Sequence, residues 1–137
     1  MKRLRALIAD DDLDRRDVVG GILDRFGIDV VCVAVAGELA KLADDGPFDL
    51  IIMDLAMPWL TGVHVIQAAR IGGSTCPVIV LTVLGVTHEQ LVALGPAVHV
   101  LREPFSLVQL EAALIVSLGA ALQVDIGNDC RWRAPWS

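Results

Sequence analysis

Residues 50–62 read LIIMDLAMPWLTG, a short apolar run that ends in Asp54 and meets a proline and a glycine before helical period sets in over residues 62–71. An apolar run of this length fits a strand covered on both faces, as in a parallel sheet sandwiched between helices. The same alternation extends both ways along the chain. Runs of β-branched and aliphatic residues predict strands near residues 4–9, 29–35, 49–53, 77–82 and 97–101. Segments of helical period fit residues 14–26, 37–45, 62–71, 87–94 and 105–122, with DDGPF and GGSTCP as breakers. Five β-α pairs predict an α/β fold, a doubly wound five-stranded parallel sheet in three layers α/β/α.

A chain of 137 residues lies within the size of one domain. The expected organisation is a domain over residues 1–122 and a tail over 123–137, QVDIGNDCRWRAPWS, which has no convincing period and is too short for a second domain. More than half of the residues are hydrophobic, yet charges such as Asp24, Arg25, Asp49, Asp54 and Arg70 break every apolar segment before the roughly 20 residues a membrane span needs. The opening MKRLRALIADDD turns acidic after a few apolar residues, unlike a signal peptide. Cys32, Cys76 and Cys130 are odd in number and widely spaced, which fits reduced thiols better than a disulfide framework. The expectation is a cytoplasmic protein with no membrane partner. A formal charge of −6, with basic residues clustered only in MKRLR and CRWR, argues against direct nucleic-acid binding by this domain.

In open α/β sheets the ligand crevice lies beyond the carboxyl ends of the strands, where the strand order reverses. LIADDDLD, residues 7–14, puts Asp10 and Asp11 at the end of the first strand. Asp54 follows the third strand, Thr82 ends the fourth and Glu103 lies just past the fifth, so all five face one crevice. Converging carboxylates repel unless a cation joins them, and an all-oxygen set without His or Cys suits a hard ion such as Mg²⁺. Simpler readings stand beside this one: DDD caps the following helix, Asp54 is a loop acid, and Thr82 is a strand-end hydroxyl.

With those residues in view, the chain resembles the receiver domain of bacterial two-component response regulators over roughly residues 3–122. The marks are Asp10 and Asp11 after LIA, Asp54 with Pro58 and Gly62 in D-x-x-x-P-x-x-x-G spacing, Thr82 in VIVLT, and Pro104 with Phe105. The resemblance implies a flavodoxin-like (βα)5 fold. It further implies that Asp54 is a phosphoacceptor served by a histidine kinase or phosphotransfer protein, and that Thr82 contacts the phosphoryl group. Mg²⁺ is then held by Asp10, Asp11 and Asp54 with the Ala56 carbonyl. Asp54 would be phosphorylated and dephosphorylated in place, so the chain is not a conventional enzyme.

The departures from the family pattern sit on the other half of the site. Receivers carry a lysine immediately before the proline of this motif, whereas here that position is Glu103. Lysine occurs only at Lys2 and Lys41, neither placed to replace it. Arg102 is the alternative cation, but neighbouring strand residues face opposite ways, so it reaches the crevice only through a bulge or a one-residue slip. On electrostatic grounds Glu103→Lys is expected to improve Asp54 as an acceptor. Val83 is bulkier than the usual small residue, and Val100 stands where the family carries an aromatic one.

The last helix carries two apolar stripes. Leu107, Leu110, Leu114, Leu118 and Ala121 can face the sheet, while Val108, Ala112, Ile115 and Leu122 lie on another side. The second stripe predicts either cover by Trp132 and Trp136 of the tail or a homodimer through the helices over 87–94 and 105–122. Two functions follow: a phosphoacceptor switch that alters a protein-protein surface, or a phosphorylation-independent docking or dimerisation module of the same fold.

Overall fold

The computed structural model describes residues 3–33, 48–55, 76–95 and 97–129, with residues 93 and 120–129 described by their backbone alone. Through these residues the chain runs β1 (Arg5–Ala9), α1 (Leu13–Arg25), β2 (Asp29–Val33), β3 (Leu50–Asp54), β4 (Val78–Thr82), α2 (His88–Leu94), β5 (Val98–Arg102) and α3 (Leu107–Asp129). The helices expected over 37–45 and 62–71 lie outside the described residues, as do Ala56, Pro58, Gly62, Trp132 and Trp136.

The five strands form one sheet in the order β2-β1-β3-β4-β5, and every pair is parallel. Ala6 stands opposite Val30 on one side and Leu50 on the other, and Met53 stands opposite Ala9 and Val80. All residues of β3 and β4 are buried, which is why their sequences are apolar without alternation. Odd and even positions feed two separate cores. On one face Ile8, Ile52, Ile79 and Leu81 pack with Val19, Ile22 and Leu23 of α1 and with Leu110, Ala113 and Leu114 of α3. On the other face Leu7, Ile51, Met53, Val78 and Val80 pack with Leu94 of α2.

The helix ends follow from local chemistry. Asp12 caps α1 by accepting from the Arg15 backbone N–H, and Thr87 with Gln90 makes a reciprocal capping box on α2. Ser106 and Gln109 exchange the same pair of hydrogen bonds before α3, at 2.8 and 3.2 Å. Gly27 ends α1 with φ 75°, a left-handed conformation that a Cβ would oppose. α3 continues to Asp129 rather than stopping at residue 122. No proline stands between Pro104 and Pro135 to stop it. Of its sheet-facing stripe, Leu110, Leu114 and Leu118 are buried, whereas Leu107 is half exposed at 49%.

Candidate functional site

The strand order reverses between β1 and β3, so the ends of these two strands flank a crevice. Asp10 is the first residue past β1, and its backbone N–H still donates to the Val33 carbonyl at 3.1 Å, which holds it in line with the sheet. Asp54 is the last residue of β3. Both are buried, while Asp11 is exposed. Carboxylate oxygens of Asp10, Asp11 and Asp54 lie within 4.8 Å of one another. This all-oxygen cluster fits a hard divalent ion such as Mg²⁺.

Thr82, at the end of β4, is also buried. Its hydroxyl donates to the Gly85 carbonyl and accepts from the Gly85 N–H, both at 3.1 Å, so it braces the loop after β4. The same loop, with Val83 and Leu84, lines a cleft of about 590 Å³ that reaches Leu55 and Gln90. Glu103 follows β5, donates its backbone N–H to the Thr82 carbonyl at 2.8 Å, and is joined to Pro104 by a cis peptide bond. Arg102 pairs with Thr82 through the sheet register and its side chain is exposed.

The guanidinium in the crevice belongs to Arg15. Its backbone N–H is the one that Asp12 caps, and helical side chains lean toward the N-terminus of their helix, which here means toward the strand ends. Nε donates to Asp10 Oδ2 at 2.5 Å and Nη2 to Asp10 Oδ1 at 2.9 Å, a two-point contact. Nη2 also donates to Asp54 Oδ2 at 2.6 Å, and Nη1 donates to Glu103 Oε1. Hydrogen bonding to Asp10 is the main influence pushing the arginine pKa up, against the opposing effect of burial, with Glu103 adding to the rise. The group is therefore a fixed positive charge at any working pH.

Position along β5 singles out Arg102 as the alternative cation and passes over Arg15. The available signal was its position three residues after the capping Asp12, on the first turn, whose side chains lean back over the strand ends. Of the residues expected to converge, Asp10, Asp54 and Glu103 are joined by Arg15, Asp11 lies at the rim, and Thr82 is tied to Glu103 through the backbone. The Ala56 carbonyl lies outside the described residues.

Residues 6–115 match the family model described as "Response regulator receiver domain". The response regulator protein PmrA of Pseudomonas aeruginosa is 31% identical over 112 residues, which cover 80% of this chain and 50% of that protein. The uncharacterised transcriptional regulatory protein YrkP of Bacillus subtilis is 32% identical over 117 residues, 83% of this chain and 49% of that one. The chain thus spans about half the length of these curated relatives. Among solved structures, chemotaxis protein CheY4 of Vibrio cholerae is similar with a TM-score of 0.72 at 31% identity, covering 85% of this chain and all of that one. The receiver domain of sensor histidine kinase PA1611 from Pseudomonas aeruginosa, which has a magnesium ion coordinated in its active site cleft, shares the fold with a TM-score of 0.70 at 24% identity, covering 86% of this chain and 99% of that one.

Proposed function

The chain belongs to the response regulator receiver family, a receiver domain of two-component signalling, and on that premise we propose that Asp54 accepts a phosphoryl group from a histidine kinase or phosphotransfer protein. The observation that carries this reading is the meeting of Asp10, Asp11 and Asp54 oxygens within 4.8 Å at the reversal of strand order. Asp54 supplies a carboxylate nucleophile, and a carboxylate attacks without a base to take its proton. Its oxygen attacks phosphorus, an O–P bond forms, and the N–P bond to the donor histidine breaks. The electron pair stays on the imidazole nitrogen, which takes a proton. Thr82 can turn its hydroxyl from Gly85 to a phosphoryl oxygen, and that exchange couples the site to the loop after β4. Bound between Asp10, Asp11 and Asp54, with the Ala56 carbonyl, Mg²⁺ would mask negative charge on the reacting oxygens.

Output runs through a surface. Val92, Val100, Val108 and Ile115, on α2, β5 and α3, are exposed at 67%, 37%, 54% and 38%. A second copy of the chain is the proposed cover, giving a homodimer through α2 and α3 that an effector region of a longer regulator could read. A cytoplasmic location accords with the family; among the described residues no helix is long and apolar enough to cross a membrane.

The test is intact-mass measurement after incubation with Mg²⁺ and acetyl phosphate. One added phosphoryl group, absent in Asp54→Asn, is the expected result; no gain with this donor or a cognate kinase supports the second reading, a docking module that works without phosphorylation. That second reading draws on the guanidinium already seated against Asp54.

A further inference from the structure

The three acids that hold Arg15 are not equivalent. Asp10 and Asp54 belong to the cluster suited to a divalent ion, and Glu103 does not. The guanidinium meets these two groups with different edges. Nε and Nη2 face Asp10 and Asp54, and Nη1 alone faces Glu103. A planar fork with five N–H donors can release one edge and keep the other.

We infer that Arg15 is the cation that binds the phosphoryl group on Asp54, and that Glu103 is the positioning residue that keeps it there; this rests on Asp54 being the acceptor. When Asp10 and Asp54 turn to a divalent ion, Nε and Nη2 give up their carboxylates while Nη1 stays on Glu103. A phosphoryl group on Asp54 then offers three acceptor oxygens and a charge of about −2 beside the two released donors. Arginine matches such a group with two parallel hydrogen bonds. Glu103 is half-buried, with a side-chain exposure of 17%, so it holds Arg15 away from bulk water rather than letting it extend outward. An acid at position 103 is what a cation arriving from α1 requires, as a lysine there would repel it.

The same geometry makes Arg15 a competitor for the oxygens a metal would use. Removing it should therefore strengthen metal binding and weaken phosphoryl retention, opposite signs that a merely structural arginine would not give.

The test uses the full chain, with Arg15→Gln, Arg15→Lys, Glu103→Gln and the double variant Arg15→Gln/Glu103→Lys. Calorimetric titration with Mg²⁺ alone gives metal affinity, and intact mass followed over time after acetyl phosphate and Mg²⁺ gives yield and lifetime of the Asp54 adduct. Arg15→Gln should bind Mg²⁺ about tenfold more tightly and lose about tenfold in adduct lifetime. Arg15→Lys should fall between it and the wild type, and the double variant should regain the adduct. Arg15→Gln with the wild-type adduct lifetime overturns the inference and leaves Asp54 as acceptor. A wild-type chain with no adduct at Asp54 overturns the proposed function, and the inference with it. If circular dichroism shows Arg15→Gln unfolded, Glu103→Gln and Arg15→Lys decide, and wild-type Mg²⁺ affinity and lifetime in both overturn the inference.

Discussion

Arg15 and Glu103 stand 88 residues apart in the chain and meet as an ion pair across the crevice. Arg102 is bonded to Glu103 yet is exposed, because the strand sends successive side chains to opposite faces. The partner that neutralises Glu103 therefore comes from the first helix, and the charge at position 103 has meaning only together with position 15. Without Arg15, Glu103 would be an unopposed fourth acid.

Arg15→Ala should destabilise the chain in EDTA by about 2–4 kcal/mol, since it leaves buried Asp10 and Asp54 facing Glu103 with no cation between them. Millimolar Mg²⁺ should remove most of that deficit, as the ion supplies the missing charge. Urea melts with and without Mg²⁺ measure both.

Glu103→Lys alone, expected from the sequence to improve the acceptor, should now do the reverse. The new ammonium would lie against the Arg15 guanidinium, at an effective dielectric where like charges a few ångströms apart repel by about 1–4 kcal/mol. Lower stability and a shorter-lived Asp54 adduct than in the wild type are the expected results, whereas Arg102→Ala should change stability by less than about 0.5 kcal/mol.

Much of this was written in the sequence and two parts were not. The strands at 5–9, 29–33, 50–54, 78–82 and 98–102 fall within a few residues of their expected places: β1, β3 and β4 are short apolar runs buried almost throughout, and the partly exposed edge strands β2 and β5 are marked by the β-branched Val30, Val31, Val33, Val98 and Val100. Asp10, Asp54 and Thr82 were legible from the rule about strand ends. Arg15 was not, since DLDRRD reads as an ordinary charged first turn and the direction of one side chain depends on helix placement. The run of α3 past residue 122 was hidden for another reason: hydrogen bonding continues a helix where no apolar period marks it.

Glu111 gives a pH prediction. It is buried on α3, and neither carboxylate oxygen has a hydrogen-bond partner among the described residues. Burial raises its pKa, with Arg25 pulling the other way. The folded chain thus keeps a proton that the unfolded chain, with a pKa of about 4.3, has already released. Stability falls as pH rises through that interval, and the loss is complete above the folded pKa. Glu111→Gln should raise the melting temperature at pH 7–8, and the gain should vanish near pH 4.

Two neighbours on α3 should separate folding from association. Leu114 is fully buried against the sheet, so Leu114→Ala should cost about 2–5 kcal/mol in urea. Ile115 is 38% exposed, so Ile115→Asp should leave the urea midpoint nearly unchanged and convert a dimer to a monomer in light scattering.

The cap that Asp12 places on the Arg15 N–H does more than start a helix. It sets the angular phase of the first turn, and each residue of an α-helix advances that phase by roughly 100°. One residue inserted between Asp12 and Asp14 would turn the guanidinium away from the crevice and bring Asp14 toward where it stood. An acid would then enter a ring of acids. The sign of the charge at the heart of the crevice is thus indexed by counting along three residues of backbone, and a length change there would matter more than many substitutions of type.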